Sequence, residues 1–214
     1  PASFQDDATR ILRAVRYEQR LGFRLDAETD ALLRRDLAML DTISADRLRH
    51  ELDVVFKEEH APRVLQRAAE LGVLHAVHPA LPDALALRTG LARLTLLAQP
   101  VQPLHYLALL AHGLGHEHAN ALIRRLNMPK TWATIVRDIA TAQWEAAHIV
   151  DGASPADVDR KLRGLSPVAL QVVAALTPRD TASRQLRRYV REWRHVRPVL
   201  NGRDLARLGV VPGP

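Results

Sequence analysis

Apolar residues recur at the spacing of an α-helix along most of the chain, whereas the alternating apolar and polar runs typical of strands are scarce. Ile11, Leu12 and Val15 form one such stripe, and Leu48 and Leu52 begin another. Only 4% of the residues are aromatic against 47% hydrophobic, so leucine, alanine and valine must fill the core. The sequence therefore predicts an all-α protein, a bundle of helices without a significant β-sheet.

Capping residues indicate where the helices begin and end. Asp26, Ser44 and Ser154 precede apolar stripes as N-caps, and Gly22 and Gly72 stand where helices stop. Prolines and Gly90 between residues 79 and 103 indicate a break between two parts of the chain. After a first helix that ends near residue 21, the predicted helices cover about 27–39, 44–57, 62–72, 103–112, 117–126, 131–149, 154–163 and 167–176, and a basic helix then runs to about 197.

The positive charge of the chain is unevenly placed. The net charge is +6, and the segment 179–197 alone holds seven arginines against two acids. Such a surface favours a nucleic-acid backbone as partner, with a solvated basic helix as an equally good alternative. The absence of cysteine from the sequence excludes disulfides and thiolate metal sites, and no long apolar run or signal-peptide pattern is present. These features fit a cytoplasmic protein that does not span a membrane.

The first helix carries an acid and an arginine on one polar face. Asp7 and Arg10 are three residues apart, and Arg13, Tyr17 and Arg20 continue the same ridge. A carboxylate beside a guanidinium can read the edge of a base, because the carboxylate accepts from an exocyclic amine and the guanidinium donates to ring acceptors. Cytosine and adenine both present that pattern. On spacing alone, a solvated helix cap with an i,i+3 ion pair is the favoured interpretation.

Ordered motifs along the chain resemble one family. The resemblance is to the bacterial class II tRNA nucleotidyltransferases, which comprise CCA-adding enzymes, A-adding enzymes and poly(A) polymerases. It is carried by Phe4-x-x-Asp7-x-x-Arg10-x-x-Arg13-x-x-Arg16-Tyr17 with Leu21-Gly22-Phe23, by Ile43-Ser44-x-x-Arg47-x-x-x-Glu51-Leu52, by Glu70-Leu71-Gly72-Val73-Leu74 before His78-Pro79, and by Pro198-Val199-Leu200-Asn201-Gly202-Arg203-Asp204-Leu205.

The resemblance implies roles for residues at the start of the chain. Asp7 and Arg10 would act as an amino-acid template that selects the incoming nucleotide. Asp6 stands where the family usually has glutamate, and it would help to orient Arg10. Four further motif residues would support this helix. Arg13 and Arg16 would reach phosphates or neighbouring helices, and for Arg47 and Glu51 a plain i,i+4 surface pair is an open alternative. The supporting residues are Arg13, Arg16, Arg47 and Glu51.

The resemblance also implies a domain order and a set of partners. It divides the chain into a neck (1–79), a helical RNA-binding body (80–178) and a basic tail (179–214). Mg²⁺ and the substrates CTP and ATP would belong to the full-length enzyme, whose N-terminal head domain would supply the metal-binding carboxylates. The chain is therefore expected to be inactive by itself, with no catalytic residue and no metal of its own. Charge assigns contacts with a tRNA acceptor stem to Arg184, Arg187, Arg188 and Arg191.

Two other clusters suggest chemistry that the sequence does not favour. His112 and His116 have the spacing of zinc ligands on a helix, with His105 and His118 nearby, but Gly113 and Gly115 interrupt the helix. These histidines are therefore expected to be loop or core residues. The pair Asp157 and Asp159 resembles a two-metal carboxylate site, but such a pair needs a strand, and Ser154 predicts a helix there.

Three other functions stay open at this point. A poly(A) polymerase of the same family would share the motifs and differ in its RNA primer. A helical adaptor that binds proteins through apolar grooves would explain the leucine content, but not the placement of Asp7 and Arg10. A metal-dependent phosphohydrolase would need the histidines to converge with a carboxylate.

Overall fold

The chain folds into packed helices. The computed structural model describes residues 3–97, 100–149, 153–178, 181–196 and 207–209. Within these residues the secondary structure consists of 13 α-helices and two short 3-10 helices, and no strand is present. The prediction of an all-α fold is confirmed. No helix in the described part of the chain combines the length and the apolar character that crossing a membrane requires.

The first part of the chain forms seven α-helices and a 3-10 helix. Two predicted caps are confirmed, because the Asp26 carboxylate accepts from the Thr29 amide (2.9 Å) and Gly22 ends a helix at a φ of 68°. The helix after Asp26 is shorter than predicted and passes into a 3-10 turn at Asp36, whose buried carboxylate is bound by Gln5. The elements are α1 (Ser3–Asp6), α2 (Thr9–Leu21), α3 (Ala27–Arg35), the 3-10 helix Leu37–Thr42, α4 (Ala45–Lys57), α5 (Ala61–Glu70), α6 (Val73–Val77) and α7 (Ala84–Leu97).

The second part forms six α-helices. Ser154 caps its helix as predicted, by accepting from the Asp157 amide. The basic helix ends at Arg191, earlier than predicted, and a 3-10 turn follows it; Arg179, Arg197 and the motif 198–205 lie outside the described residues. The elements are α8 (Pro103–Ala111), α9 (His116–Arg125), α10 (Lys130–Ala147), α11 (Pro155–Leu162), α12 (Pro167–Leu176), α13 (Thr181–Arg191) and the 3-10 helix Trp193–His195.

Helix α7 occupies the stretch in which prolines and Gly90 indicated a break, so the prediction that helices resume only at about residue 103 was wrong. The boundary between neck and body in this stretch stays a prediction. Gly90 lies inside the helix and is buried, and a Cβ atom built there would be 2.5 Å from Leu109 Cδ1. The glycine therefore permits a close approach between α7 and α8 rather than a break in the chain. Helix α7 packs against α5 as well as against α12, and it thereby connects the two parts of the fold.

Several side-chain contacts join the predicted neck to the predicted body. The rings of Phe56 and Trp132 lie 5.6 Å apart between their centroids, at the interface of α4 and α10. Arg49 of α4 donates to the carbonyls of Leu126 and Asn127 at the end of α9. In the opposite direction, Arg125 Nη2 of α9 donates to the Leu40 carbonyl at 2.8 Å. The two parts share one continuous core of buried apolar side chains.

Candidate nucleotide and RNA interface

Asp7 lies in the short turn between α1 and α2, and its carboxylate is held by two partners. Oδ1 accepts from the Thr9 amide at 3.1 Å and from the Thr9 hydroxyl at 2.8 Å. Arg47 Nη2, from α4, lies 3.0 Å from Oδ1 and 3.1 Å from Oδ2. The hydrogen bond from the Thr9 hydroxyl is the main cause that lowers the pKa of Asp7, and Arg47 adds to it against partial desolvation. Asp7 is therefore a carboxylate of fixed orientation at neutral pH.

Arg10 projects from the first turn of α2 and is exposed. Its Nη1 donates to the Ser3 carbonyl at 3.1 Å and to the Ser3 hydroxyl at 2.9 Å. Among the described residues, Asp7 and Arg10 do not form an ion pair with each other, so the favoured i,i+3 interpretation was wrong. Asp6 ends α1 with an exposed side chain, and no described contact joins it to Arg10. The acid and the arginine thus present separate polar groups at one end of α2.

The residues expected to support this end of α2 fall into two groups. Arg47 contacts Asp7 directly, and it does not pair with Glu51 in the described part of the chain. The pKa of Arg13 is raised mainly by a hydrogen bond with the Tyr17 hydroxyl, and the negative charge of Glu51 adds to this rise.

Arg16 is buried and reaches a different partner. Its Nη1 donates to Glu58 Oε1 at 3.0 Å, after the end of α4, and its guanidinium lies 4.7 Å from the centroid of the Tyr17 ring. Arg16 therefore ties α2 to α4, while Arg13 stays on the exposed ridge.

A buried ionic network at the other end of α2 was missed in the sequence. The side chain of Glu18 is only 2% exposed, and it accepts from Arg67 Nε at 2.9 Å and from the Leu25 amide at 3.0 Å. Arg67 also binds Asp30 at 3.1 Å. Burial would raise the pKa of Glu18, but the hydrogen bonds from Arg67 and Leu25 outweigh it and lower that pKa. The sequence did contain one indication of this network, because Glu18 lies on the same helical stripe as Ile11 and Val15, and a charge buried on that stripe requires a partner.

The four arginines assigned to RNA on α13 differ in their surroundings. Arg187 is half-buried, and its Nε donates to the Ala174 carbonyl at 3.1 Å, at the end of α12. Arg188 is exposed, pairs with Glu192 at 3.5 Å and stacks over Trp193 at 5.1 Å. The other two members also have exposed side chains and complete the basic face; they are Arg184 and Arg191.

The histidines occupy separate positions. His105 is buried, and its Nδ1 accepts from the Gln102 amide at 2.9 Å, which caps α8. His112 follows the end of α8, where burial first and the charge of Arg93 second lower its pKa to about 4. His116 begins α9 and is exposed. No group of three or more histidine, cysteine or acidic side chains that could hold a metal ion occurs among the described residues.

The remaining histidine and the acid pair also have structural contacts. The ring of His118 lies edge-on to that of His78, with centroids 5.7 Å apart. Asp157 binds the Ser154 hydroxyl at 2.7 Å, and Asp159 accepts from the Tyr189 hydroxyl at 3.2 Å. Both acids lie on α11, so the prediction that this pair belongs to a helix is confirmed.

The chain is similar to known proteins over a central segment and over nearly its whole length. Residues 22–85 match the family described as "Probable RNA and SrmB- binding site of polymerase A". The A-adding tRNA nucleotidyltransferase of Geobacter sulfurreducens is 29% identical over 99% of this chain, and the CCA-adding enzyme of Geobacillus stearothermophilus is 33% identical over 59% of it. The chain is therefore similar to the bacterial tRNA nucleotidyltransferase family.

Solved structures of this family share the fold. The Thermotoga maritima CCA-adding enzyme complexed with tRNA-CCA superposes with a TM-score of 0.76 at 20% identity, over 100% of this chain and 55% of that one. A CCA-adding enzyme complexed with ATP gives 0.75 at 22% identity, over 99% of this chain and 54% of that one. The chain spans about half the length of these structures, 26% of the Geobacter relative and 31% of the Geobacillus relative.

Proposed function

We propose that this chain is the nucleotide- and RNA-binding portion of an enzyme that adds CCA, or only the terminal A, to the 3′ ends of tRNA. The observation that carries the proposal is the fixed, ionised carboxylate of Asp7 beside the exposed guanidinium of Arg10. The relatives named as CCA-adding and A-adding enzymes support the same assignment.

Asp7 and Arg10 read the incoming base by hydrogen bonds. The Asp7 carboxylate accepts from the exocyclic amine of cytosine or adenine, and Arg10 donates to the neighbouring ring nitrogen or carbonyl. Asp7 keeps its orientation because Thr9 and Arg47 hold it from behind. Arg10 exchanges its contact with Ser3 for the base, which an exposed and flexible side chain can do. Asp6 lies beside them as an auxiliary acid.

The basic face of α13 contacts the phosphate backbone of the tRNA acceptor stem. Arg184, Arg188 and Arg191 have exposed side chains there and are the principal contacts. Arg187 contributes less, because its guanidinium is engaged with the carbonyl end of α12. A smooth cationic surface is adequate for this task, since duplex RNA is recognised mainly through its shape and phosphates.

Nucleotidyl transfer itself uses Mg²⁺ held by carboxylates, which align the triphosphate of CTP or ATP with the attacking 3′-hydroxyl. We assign those carboxylates to an N-terminal head domain of the full-length cytoplasmic enzyme. The contribution of this chain is to bind and orient the base and the RNA, and by itself it should not transfer nucleotides.

Nucleotide selectivity of the full-length enzyme tests the proposal. Asp7→Ala and Arg10→Ala should each lower the discrimination of CTP and ATP against UTP and GTP by about 10-fold or more, since a paired base contact contributes ~1–3 kcal/mol. Arg20→Ala is the matched control, because Arg20 is an exposed arginine on the same helix, near Glu58 at 3.9 Å. Unchanged kcat/KM ratios in both site variants would contradict the base-reading role.

A poly(A) polymerase of the same family is the second candidate, because the matched family is described by its polymerase A member. Such an enzyme would use the same nucleotide pair with a different RNA. Competition between a tRNA ending in CC and an unstructured RNA, both offered to the full-length enzyme with ATP, separates the two. Preferential extension of the unstructured RNA would establish the polymerase.

A further inference from the structure

The two oxygens of the Asp7 carboxylate have different surroundings. Oδ1 accepts three hydrogen bonds, from the Thr9 amide at 3.1 Å, from the Thr9 hydroxyl at 2.8 Å and from Arg47 Nη2 at 3.0 Å. Within the part of the chain that the structure describes, Oδ2 accepts only from Arg47 Nη2, at 3.1 Å. Each carboxylate oxygen offers about two lone-pair sites, so Oδ1 is saturated and Oδ2 keeps one site open. The oxygen of Asp7 that is available to a ligand is therefore Oδ2.

Thr9 and Arg47 hold this carboxylate in different ways. A single nitrogen, Arg47 Nη2, lies almost equally far from both oxygens, so it neutralises the carboxylate without distinguishing one oxygen from the other. The Arg47 side chain is also 56% exposed, and exposed ion pairs are weak because solvent and salt screen them. Thr9 contacts Oδ1 alone, and it is only 3% exposed. Thr9 therefore determines which oxygen of Asp7 faces outward.

The Thr9 hydroxyl is a donor with little freedom to move. An ionised carboxylate cannot donate, so the hydrogen of this bond belongs to the Thr9 hydroxyl. Threonine is β-branched, which restricts its χ1 torsion in a helix, and Thr9 is the first residue of α2. The last torsion of aspartate is broad and roughly twofold, so an unrestrained carboxylate would exchange its two oxygens. The bond from Thr9 removes that exchange.

The ionised state of Oδ2 bears on which bases are rejected. Cytosine and adenine carry an exocyclic amine where uracil and guanine carry a carbonyl oxygen. An ionised Oδ2 accepts from the amine, whereas it would face the carbonyl oxygen as one acceptor against another, which is unfavourable. The Thr9 hydroxyl is the main cause that lowers the pKa of Asp7, so the same bond that orients Oδ2 also keeps it ionised.

We propose that Thr9 is a positioning residue for base selection, which holds Asp7 so that Oδ2 faces the exocyclic amine of cytosine or adenine. The inference rests on the proposed function, since it takes Asp7 as the residue that reads the base. It adds a residue that neither helical spacing nor the family motif assigned to the site. Thr9 does not contact the base itself, because it is buried and its hydroxyl donates to Asp7.

Steady-state kinetics of the full-length enzyme with the four nucleotides test the inference. Thr9→Val keeps the shape of the side chain and the amide bond to Oδ1 but removes the hydroxyl bond. It should lower the kcat/KM ratios of CTP to UTP and of ATP to GTP by about fivefold or more, because a hydrogen bond to a charged group is lost. Thr9→Ser keeps a hydroxyl and should retain both ratios. Thr89→Val is the matched control, because the Thr89 hydroxyl donates to the Leu85 carbonyl within α7.

The Asp7→Ala background separates positioning from a general loss of structure. If Thr9 acts through Asp7, adding Thr9→Val to Asp7→Ala should leave the nucleotide ratios of the single Asp7 variant unchanged. A structural effect of Thr9→Val would instead add to that of Asp7→Ala.

A titration of the 214-residue chain supplies a readout that does not depend on catalysis. The pKa of Asp7, followed by ¹³C NMR of its carboxyl carbon, should rise in Thr9→Val, because the largest cause that lowers it is removed. It should stay low in Thr9→Ser. The charged groups that act on Asp7 are Arg47 of α4 and Arg13 of α2, and both remain in each variant.

Unchanged nucleotide ratios in Thr9→Val, together with a loss in Asp7→Ala, would overturn the inference and leave the proposed function standing. Equal losses in Thr9→Val and Thr9→Ser would also overturn it, because the hydroxyl would then not be the cause. An unchanged pKa of Asp7 in Thr9→Val, or a further loss of selectivity from Thr9→Val in the Asp7→Ala background, would refute it as well. Unchanged ratios in Asp7→Ala would contradict the inference and the proposed function together.

Discussion

Removing Arg67 should destabilise the protein strongly, because it leaves the Glu18 carboxylate buried without its cation. Glu18 has a side chain only 2% exposed, so solvent cannot replace the lost partner. Breaking a buried ion pair from one side costs about 3–5 kcal/mol, and Arg67→Ala should lower the free energy of unfolding by that amount. Glu18→Gln should cost only about 1–2 kcal/mol, because the amide oxygen can still accept from Leu25 and Arg67 keeps Asp30.

Urea unfolding followed by far-UV circular dichroism measures these differences, and the double variant supplies the control. Adding Glu18→Gln to Arg67→Ala removes the unpaired charge, so the double variant should be more stable than Arg67→Ala by about 2 kcal/mol. A loss below about 1 kcal/mol for Arg67→Ala, or a double variant no more stable than that single one, would refute the reasoning.

The pH dependence gives an independent test of the same network. In the unmodified protein the pKa of Glu18 lies below its unfolded value, so its stabilising contribution is present above the unfolded pKa and is lost as the pH falls through the folded one. In Arg67→Ala, burial dominates and raises the pKa of Glu18. The stability difference between the two proteins should therefore narrow as the pH is lowered from about 7 to about 5.

Two further predictions concern α7 and α8. Gly90→Ala should lower the free energy of unfolding by about 1–2 kcal/mol, because overpacking against Leu109 exceeds the gain in helix propensity; thermal denaturation that shows a stabilised variant would contradict this. The pKa of His112 is about 4 in the folded protein, below the ordinary 6.5, so the unfolded chain binds a proton at His112 at a higher pH than the folded protein does. The free energy of unfolding should therefore fall by up to about 3 kcal/mol as the pH drops from about 6.5 to about 4. Urea midpoints across that range should depend less on pH in His112→Gln.

Local signals in the sequence predicted most of the helices. Asp26, Ser44 and Ser154 cap helices as expected, because an N-cap satisfies amide groups only two or three residues away. The error at Gly90 has a different origin. Whether a glycine breaks a helix or admits a neighbour depends on what packs against it, and the packing partner is Leu109, on another helix.

The candidate site was predicted as a set of residues but not as a set of contacts. Asp7 and Arg10 were identified from their spacing and the family motif, yet spacing alone paired them with each other. The actual partner of Asp7 is Arg47, which is 40 residues further along the chain and reaches Asp7 only once α4 packs beside α2. The Glu18 network was missed for the same reason, since Arg67 is 49 residues away.

Arg49 and Arg125 form hydrogen bonds between the two parts of the fold in opposite directions, and this arrangement has a mechanical consequence. Arg49, in the neck, donates to a carbonyl at the end of α9, and Arg125, in the body, donates to the Leu40 carbonyl. Two such contacts in opposite directions resist rotation as well as separation, so the end of α2 near Asp7 and the basic face of α13 belong to one stiff frame built on a shared core. Under the proposed function, this frame keeps a constant distance between the residues that read the base, Asp7 and Arg10, and the arginines of α13 that bind the RNA. The growing 3′ end must then fit each new nucleotide by changing its own shape, because the frame does not lengthen to admit it.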